Sequence, residues 1–119
     1  MLLALGQDWF ADPIEESLES AGIRMHQIRV PDCRTGTAFI SVSDDAENAI
    51  TVAPGANNEL SASDLPTLTG YSHLLLQLET PVSVVTEYAK AAKSQGLEVV
   101  LNAAPAQHLP AALLNNIDV

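Results

Sequence analysis

One carboxylate, Glu79, stands at the junction of an apolar run and a helix start. The run from 74 to 78 has four leucines and one glutamine, as expected of a parallel strand that helices cover on both faces. Thr80 and Pro81 then predict the N-cap and the first residue of a helix. Because ligands of open α/β sheets bind beyond the carboxyl ends of the strands, Glu79 is the best-placed functional group. The alternative is a solvated carboxylate that the helix dipole favours.

The composition excludes several classes of partner. The 119 residues suggest one domain or part of one, and the net charge of -10 disfavours nucleic acid and anionic membranes. No apolar run is long enough to span a bilayer, and Met1–Leu5 lacks the basic region of a signal peptide. Cys33 is the only cysteine, so no internal disulfide is possible and a reducing, cytoplasmic setting is expected. The three histidines are far apart in sequence, so no metal ligand is predicted.

The first elements alternate between strand and helix. Residues 1–6 predict a short buried strand that ends in a glycine turn. Asp12 and Pro13 predict a helix start, with Asp12 as N-cap, and Gly22 predicts the end of that helix. Residues 25–30 alternate as in a second strand. The order is therefore β-α-β in this part of the chain.

A hairpin is predicted between residues 36 and 52. Two runs, 36–42 and 49–52, are rich in Thr, Ile, Val and Phe, and a polar turn of hairpin length joins them. Alternation leaves neither face strongly apolar, so the hairpin is expected outside the main sheet and half exposed. It is a candidate flap or partner-binding surface.

The remaining chain predicts two crossover units and therefore a parallel sheet. A short helix is expected around Leu65, capped by Ser61 or Ser63. The clearest helix runs from 81 to 95, and its apolar face consists of Val85, Tyr88, Ala89 and Ala92. A buried strand at 97–101, a short helix at 110–115 and a further strand beginning at 117 complete the order.

Seven segments, in this order and at these spacings, resemble the ribokinase-like (phosphofructokinase-B-type) carbohydrate kinases. The segments are Gly6-Gln7-Asp8-Trp9-Phe10, Ser20-Ala21-Gly22-Ile23, Thr35-Gly36-Thr37-Ala38, Glu47-Asn48-Ala49-Ile50, Pro54-Gly55-Ala56-Asn57, Leu75 to Pro81 and Leu101 to Ala106. The resemblance covers nearly the whole chain. It implies part of a Rossmann-like three-layer α/β fold with a small β lid. Residues 1–119 would be a partial domain, with lid strands at about 25–53 and central α/β units at 61–119.

The resemblance also implies an activity, which is ATP-dependent phosphorylation of a sugar hydroxymethyl group, here D-ribose to ribose 5-phosphate. Mg²⁺ and a monovalent cation, K⁺, would assist, and the lid would form a homodimer contact. The family's upstream sugar-binding Asp and Gly-Gly-Lys loop have no match in this chain. Its downstream Asn-x-x-Glu and Gly-Ala-Gly-Asp segments, with the catalytic base and the anion hole, have none either. The chain by itself is therefore expected to be inactive and to hold no catalytic residue.

The resemblance assigns four binding residues. Glu79 would contact sugar hydroxyls, Gly55 and Asn57 would belong to the sugar-side loop, and Asn102 would lie near the phosphate. Ordinary turn chemistry explains Gly55 and Asn57 equally well, and Asn102 could satisfy its own backbone. Asp8 either orders an active-site loop or caps a turn.

Two other functions stay open. The chain could be a non-catalytic, truncated sugar-kinase homologue that oligomerises or binds a partner through the hairpin. It could also belong to an enzyme for another small sugar or a nucleoside, because sugar choice depends largely on the unmatched upstream loop.

Overall fold

The computed structural model describes all residues from 1 to 119. The chain divides into two compact units, Met1–Glu59 and Leu60–Val119. Its six strands form three two-stranded sheets, of which two are parallel and one is antiparallel. Strands and helices are mixed along the chain, as predicted. None of the helices combines the length and the apolar character that crossing a bilayer requires.

The first unit contains a parallel strand pair joined by a helix. Strand β1 (Leu2–Gly6) pairs with β2 (His26–Val30), and helix α1 (Ala11–Ser20) connects them. Leu5 in β1 is buried, as the apolar run predicts. The paired ends are Gly6 and Val30, so both strands present their carboxyl ends at the same edge.

Helix α1 does not begin where the sequence predicts. It starts at Ala11, its N-cap is Phe10, and Asp12 lies in the first turn, so the predicted N-cap at Asp12 is wrong. The reason lies upstream, because the carbonyl of Asp8 accepts a hydrogen bond from the Ala11 N–H at 3.1 Å. The turn that begins at Asp8 thus leads into the helix before Asp12 is reached. Gly22 follows the helix with φ +70°, in the left-handed conformation typical of a C-terminal cap.

The predicted hairpin is present. Strands β3 (Thr37–Val42) and β4 (Asn48–Ala53) pair antiparallel as a separate two-stranded sheet. Adjacent residues Phe39 and Ile40 point to opposite faces and are 65% and 62% exposed. Both faces of the hairpin are therefore open to solvent. Strand β2, which lies within the range 25–53, pairs with β1 and not with the hairpin.

The second unit is a β-α-β unit followed by a short helix. Strands β5 (His73–Leu76) and β6 (Glu98–Leu101) pair in parallel, helix α2 (Val82–Ser94) joins them, and α3 (Ala111–Leu114) follows. Two short 3-10 turns, Gly55–Glu59 at the end of the first unit and Ala62–Asp64 in the second, precede β5. The predicted apolar face of α2 is buried throughout, at Val85, Tyr88, Ala89 and Ala92.

Three details of the second unit differ from expectation. Helix α2 begins at Val82 with Pro81 as N-cap, because Pro81 is extended (φ -55°, ψ 128°), so the predicted cap at Thr80 is wrong. Leu75 of β5 is 74% exposed, so this strand is covered on one face only. The segment 117–119 is not a regular strand, but Val119 accepts a hydrogen bond from the Leu101 N–H at 2.8 Å and so lies beside β6.

Candidate functional site

Glu79 and Asn102 lie beyond the carboxyl ends of two neighbouring parallel strands. Strand β5 ends at Leu76 and β6 at Leu101, and these two residues are paired. The N–H of Asn102 donates to the carbonyl of Leu76 at 2.9 Å, which continues the strand pairing by one residue. Glu79 stands between β5 and α2, and both side chains are exposed. The structure therefore brings two of the four predicted binding residues to one edge, where open α/β sheets bind ligands.

The backbone that carries Glu79 is held by three hydrogen bonds. The N–H of Leu78 donates to the carbonyl of Ala104 at 3.0 Å, and Gln107 Nε2 donates to the carbonyl of Leu78 at 3.2 Å. The side-chain carbonyl of Gln77 accepts from the N–H of Glu79. Leu78 itself is buried. Glu79 thus extends from a segment that is fixed although it is no longer a strand.

Sequence reasoning did not assign Gln77 and Gln107 to the site. The available signal for Gln77 was its position, since it is the one polar residue in the apolar run and stands two residues before Glu79. Gln107 gives no such signal, because its contact with Leu78 spans 29 residues of chain.

Gly55 and Asn57 lie in the first unit, on the backbone that follows β4. Gly55 has φ +51°, and a Cβ at this position would lie 2.2 Å from the carbonyl oxygen of Arg34. The backbone conformation and the close approach both require glycine here. The N–H of Asn57 donates to the carbonyl of Pro54 at 3.1 Å, and the residue is half-buried. The hydrogen bond within the turn explains part of the role of Asn57. Gly55 serves the turn through its positive φ, and it also allows the backbone at Arg34 to approach closely.

Asp8 and Thr35 form the best-connected polar pair of the first unit. Asp8 Oδ2 accepts from the N–H of Thr35 at 2.8 Å, and Oδ1 accepts from its hydroxyl at 2.8 Å. Thr35 Oγ1 in turn accepts from the N–H of Gly6 at 3.0 Å. Thr35 is 4% exposed, so these bonds satisfy polar groups that water does not reach. Asp8 thus fixes the segment at Thr35 in addition to the turn in which it lies.

Electrostatics favour the ionised form of Asp8. Burial by itself would raise the pKa of the carboxyl group. Hydrogen bonds from Thr35, and from the backbone N–H groups of Phe10 and Ala11, outweigh burial and hold the pKa below its ordinary value. A carboxylate that accepts several hydrogen bonds is stabilised in its charged form.

A metal centre is not evident in the chain. No three His, Cys, Asp or Glu side chains lie together closely enough to hold a metal ion. The imidazole of His73 contacts Ser72 at 2.7 Å and Glu98 at 3.2 Å, at the amino ends of β5 and β6. This pair is on the opposite edge from Glu79 and Asn102.

Comparison with known proteins places these observations in a family. The sequence profile described as pfkB family carbohydrate kinase matches residues 1–119. The chain belongs to the pfkB family of carbohydrate kinases. The resemblance inferred from the seven segments is thereby confirmed.

Individual pfkB relatives are similar over most of the chain. A ribokinase of Haemophilus influenzae is 39% identical over 120 residues, which is 97% of this chain and 39% of that protein. A deoxyribokinase of Salmonella typhimurium is 37% identical over 111 residues, 89% of this chain and 36% of that protein. The chain therefore spans about two fifths of the length of these relatives.

A solved ribokinase structure confirms the fold. The structure of Arabidopsis thaliana ribokinase complexed with ribose and ATP is 30% identical to this chain, with a TM-score of 0.87 over 98% of it and 40% of that protein. The predicted class, a partial ribokinase-like α/β fold, is thus the class observed.

Proposed function

We propose that the chain is the sugar-binding part of an ATP-dependent kinase that converts D-ribose to ribose 5-phosphate. The observation that carries the proposal is the position of Glu79, which is exposed beyond the carboxyl end of a parallel strand and held by its backbone neighbours. The ribokinase and deoxyribokinase relatives support a small sugar as substrate.

Glu79 would act as a hydrogen-bond acceptor for the sugar. A carboxylate has two oxygens and several lone pairs, so it can accept hydrogen bonds from two neighbouring hydroxyl groups of a sugar. Hydrogen bonds to a charged partner are about twice as strong as those between neutral groups. Gly55 and Asn57, in the first unit, are the other two residues that the resemblance assigns to the sugar. Asn102, at the same edge as Glu79, would donate from its side-chain amide to a phosphate oxygen.

ATP is the proposed phosphoryl donor, with Mg²⁺ and K⁺ as assisting ions. Phosphoryl transfer needs charge stabilisation around the transferred group. Because no acidic or histidine cluster of this chain fits a metal ion, the proposal assigns no metal ligand to it. Asn102 is the one residue assigned to the phosphate side, and no catalytic base is assigned.

Glu79→Gln tests the proposal in the protein at its natural length. The substitution keeps the shape and removes the charge, so we expect kcat/KM for ribose to fall by about two orders of magnitude or more. Glu87→Gln is the matched control, because Glu87 is an exposed carboxylate of α2 that pairs with Lys90 at 2.7 Å. If Glu79→Gln phosphorylated ribose with an unchanged kcat/KM, the assignment of Glu79 to the sugar would be refuted.

A comparison of ribose with 2-deoxyribose tests the substrate class. A site that donates to or accepts from a substrate hydroxyl rejects the analogue lacking it, by up to about 10⁴-fold. We expect a clear preference for ribose in kcat/KM. A preference for 2-deoxyribose would instead support the activity of the deoxyribokinase relative. If neither ribose nor 2-deoxyribose were phosphorylated, the kinase proposal would be overturned.

A second candidate function rests on the hairpin. Its apolar side chains are exposed on both faces, which is typical of a surface that another protein covers. These side chains are Phe39, Ile40, Val42, Ile50 and Val52. The candidate is a non-catalytic module, or a kinase that dimerises, in which two hairpins pack against each other.

Sedimentation velocity tests the hairpin proposal. We expect a dimer at micromolar concentration, and Ile40→Asp should convert it to a monomer because a charge at a buried apolar contact is costly. Thr51→Asp, on the exposed strand β4, is a control for added charge on a polar position. A monomer in the unsubstituted protein would rule out this association.

A further inference from the structure

We propose that Asp8 and Thr35 are positioning residues for the loop 54–57, and so determine the geometry of the sugar side. The proposal rests on the proposed function, in which Gly55 and Asn57 of this loop face the sugar. Neither Asp8 nor Thr35 is proposed to touch the sugar. They act through backbone that packs directly against the loop.

Thr35 is held in one place by three hydrogen bonds. Its N–H and its hydroxyl both donate to the Asp8 carboxylate at 2.8 Å, and its Oγ1 accepts from the Gly6 N–H at 3.0 Å. Thr35 is almost completely buried. A Cβ on Gly6 would lie 2.4 Å from the N atom of Thr35, so the two backbones are in direct contact. Any displacement of Thr35 would therefore break hydrogen bonds that water does not replace.

The neighbours of Thr35 in the chain hold the loop 54–57. On one side, the carbonyl of Arg34 accepts from the N–H of Ala56 at 2.8 Å. On the other side, a Cβ on Gly36 would lie 2.7 Å from the carbonyl oxygen of Pro54 and 2.9 Å from Asn57 Nδ2. The loop is thus in contact with the residues immediately before and after Thr35. A shift of Thr35 would be transmitted to the loop.

Small displacements of the loop 54–57 would matter, because a shift of about 1 Å in a group that positions a substrate can lower the reaction rate by two orders of magnitude. The Asp8 carboxylate is suited to the role because it is an acceptor on both oxygens and matches two donors of Thr35. An amide at this position would present a donor to one of them.

Thr35→Val and Thr35→Ser form the decisive pair of variants. Valine keeps the shape of threonine but removes the hydroxyl, whereas serine keeps the hydroxyl and loses a methyl group. In the protein at its natural length, titration calorimetry with ribose should give a Kd that rises about tenfold or more in Thr35→Val. The Kd of Thr35→Ser should stay within about twofold of the unsubstituted value. Asp8→Asn should resemble Thr35→Val.

A structural control separates positioning from a general loss of stability. Ile28→Ala, in the middle of β2, should lower the melting temperature while leaving the Kd for ribose unchanged. A rise of the Kd in Ile28→Ala equal to that in Thr35→Val would overturn the positioning role.

A second readout does not depend on ribose. In the sugar-free protein, NMR signals of the Asn57 side-chain amide and of the Ala56 N–H should shift in Thr35→Val and Asp8→Asn but not in Thr35→Ser. Glu79→Gln should leave these signals unchanged while it weakens ribose binding. Signals that stay unchanged in Thr35→Val would refute the inference. If the unsubstituted protein bound no ribose, the proposed function would fail, and the NMR comparison would still decide whether Asp8 and Thr35 position the loop.

Discussion

The carboxylate of Asp8 accepts two hydrogen bonds from one residue, Thr35, from its backbone N–H and from its hydroxyl, both at 2.8 Å. The two residues are 27 positions apart in the chain. The contact joins the turn after β1 to the segment that leads into the hairpin. Because Thr35 is buried and its hydroxyl also accepts from Gly6, the pair stabilises one arrangement of these segments.

We expect the carboxylate of Asp8 to make the free energy of unfolding depend on pH in the acidic range. Its pKa in the folded protein is below the ordinary value of 3.8, so its contribution is fully present above that value. The contribution is lost as pH falls through the folded pKa. We expect the advantage of the unsubstituted protein over Asp8→Asn in urea to shrink as the pH falls below about 4.

The fluorescence of Trp9 offers the measurement. Trp9 is the only tryptophan, lies next to Asp8 and stacks on Phe10 with a centroid distance of 3.9 Å. Asp32→Asn, at an exposed loop position of the same unit, is the matched control for replacing a carboxylate with an amide. A urea difference between Asp8→Asn and the unsubstituted protein that is constant from pH 7 to pH 3 would contradict the prediction.

Periodicity and turn residues predicted the elements, but not the contacts that organise the candidate site. The apolar face of α2 was predictable because Val85, Tyr88, Ala89 and Ala92 repeat at helical spacing within one element. The contact of Asp8 with Thr35 was not, since nothing in local sequence pairs two residues 27 positions apart. The start of α1 was missed for a related reason, because the turn at Asp8 competes with a good cap at Asp12.

In the candidate site, too, the features with a local sequence signal were predictable and the long-range contacts were not. Glu79 could be placed at a strand end from the apolar run before it and the proline after it. Its support by Gln107 comes from a chain segment 29 residues away from Leu78 and has no local signature. The exposure of Leu75 was also not predictable, because an apolar run does not indicate which of its faces another layer covers.

Gly55→Ala should be much more damaging than Gly22→Ala. Both glycines have positive φ, +51° and +70°, so alanine is strained at each by about 1–2 kcal/mol. A Cβ at Gly55 would in addition meet the Arg34 carbonyl oxygen at 2.2 Å, whereas one at Gly22 would have no atom within 4 Å. We expect a loss of about 2–5 kcal/mol at Gly55. Equal unfolding free energies of the two variants would show that the contact with Arg34 is not close in solution.

Tyr88→Phe should cost about 1 kcal/mol of stability. The hydroxyl of Tyr88 donates to the carbonyl of Ser61 at 2.7 Å and links helix α2 to the segment before the second 3-10 turn. Val85→Ala is a useful comparison, since it tests apolar packing on the same helix face and should cost more. Thermal unfolding of both variants measures the difference, and a Tyr88→Phe variant as stable as the parent would exclude a net contribution from the hydrogen bond.

Alkaline titration should reveal the same tyrosine. Burial and the charge of Asp64 raise the pKa of Tyr88 to about 12 from 10.0. Because the folded pKa is the higher one, the neutral hydroxyl contributes stability below pH 10 that is lost as the pH rises towards 12. Absorbance at alkaline pH should show a late ionisation step that is missing in Tyr88→Phe. Early ionisation of every tyrosine would contradict the buried donor role.

Asp118→Asn should loosen the segment beside β6. Hydrogen bonds from Lys93 and from the Val99 N–H, the latter at 2.8 Å, hold the pKa of Asp118 below its ordinary value despite partial burial. The neutral amide loses the ion pair with Lys93, so hydrogen exchange at the Leu101 N–H, which donates to Val119, should accelerate.

Glu87→Gln is the control, because it breaks only the exposed pair with Lys90 and should change stability by no more than about 0.5 kcal/mol. Asp118 contributes more because its second oxygen bonds the backbone of the strand. Equal exchange rates at Leu101 in Asp118→Asn and Glu87→Gln would show that the ion pair acts only at the surface.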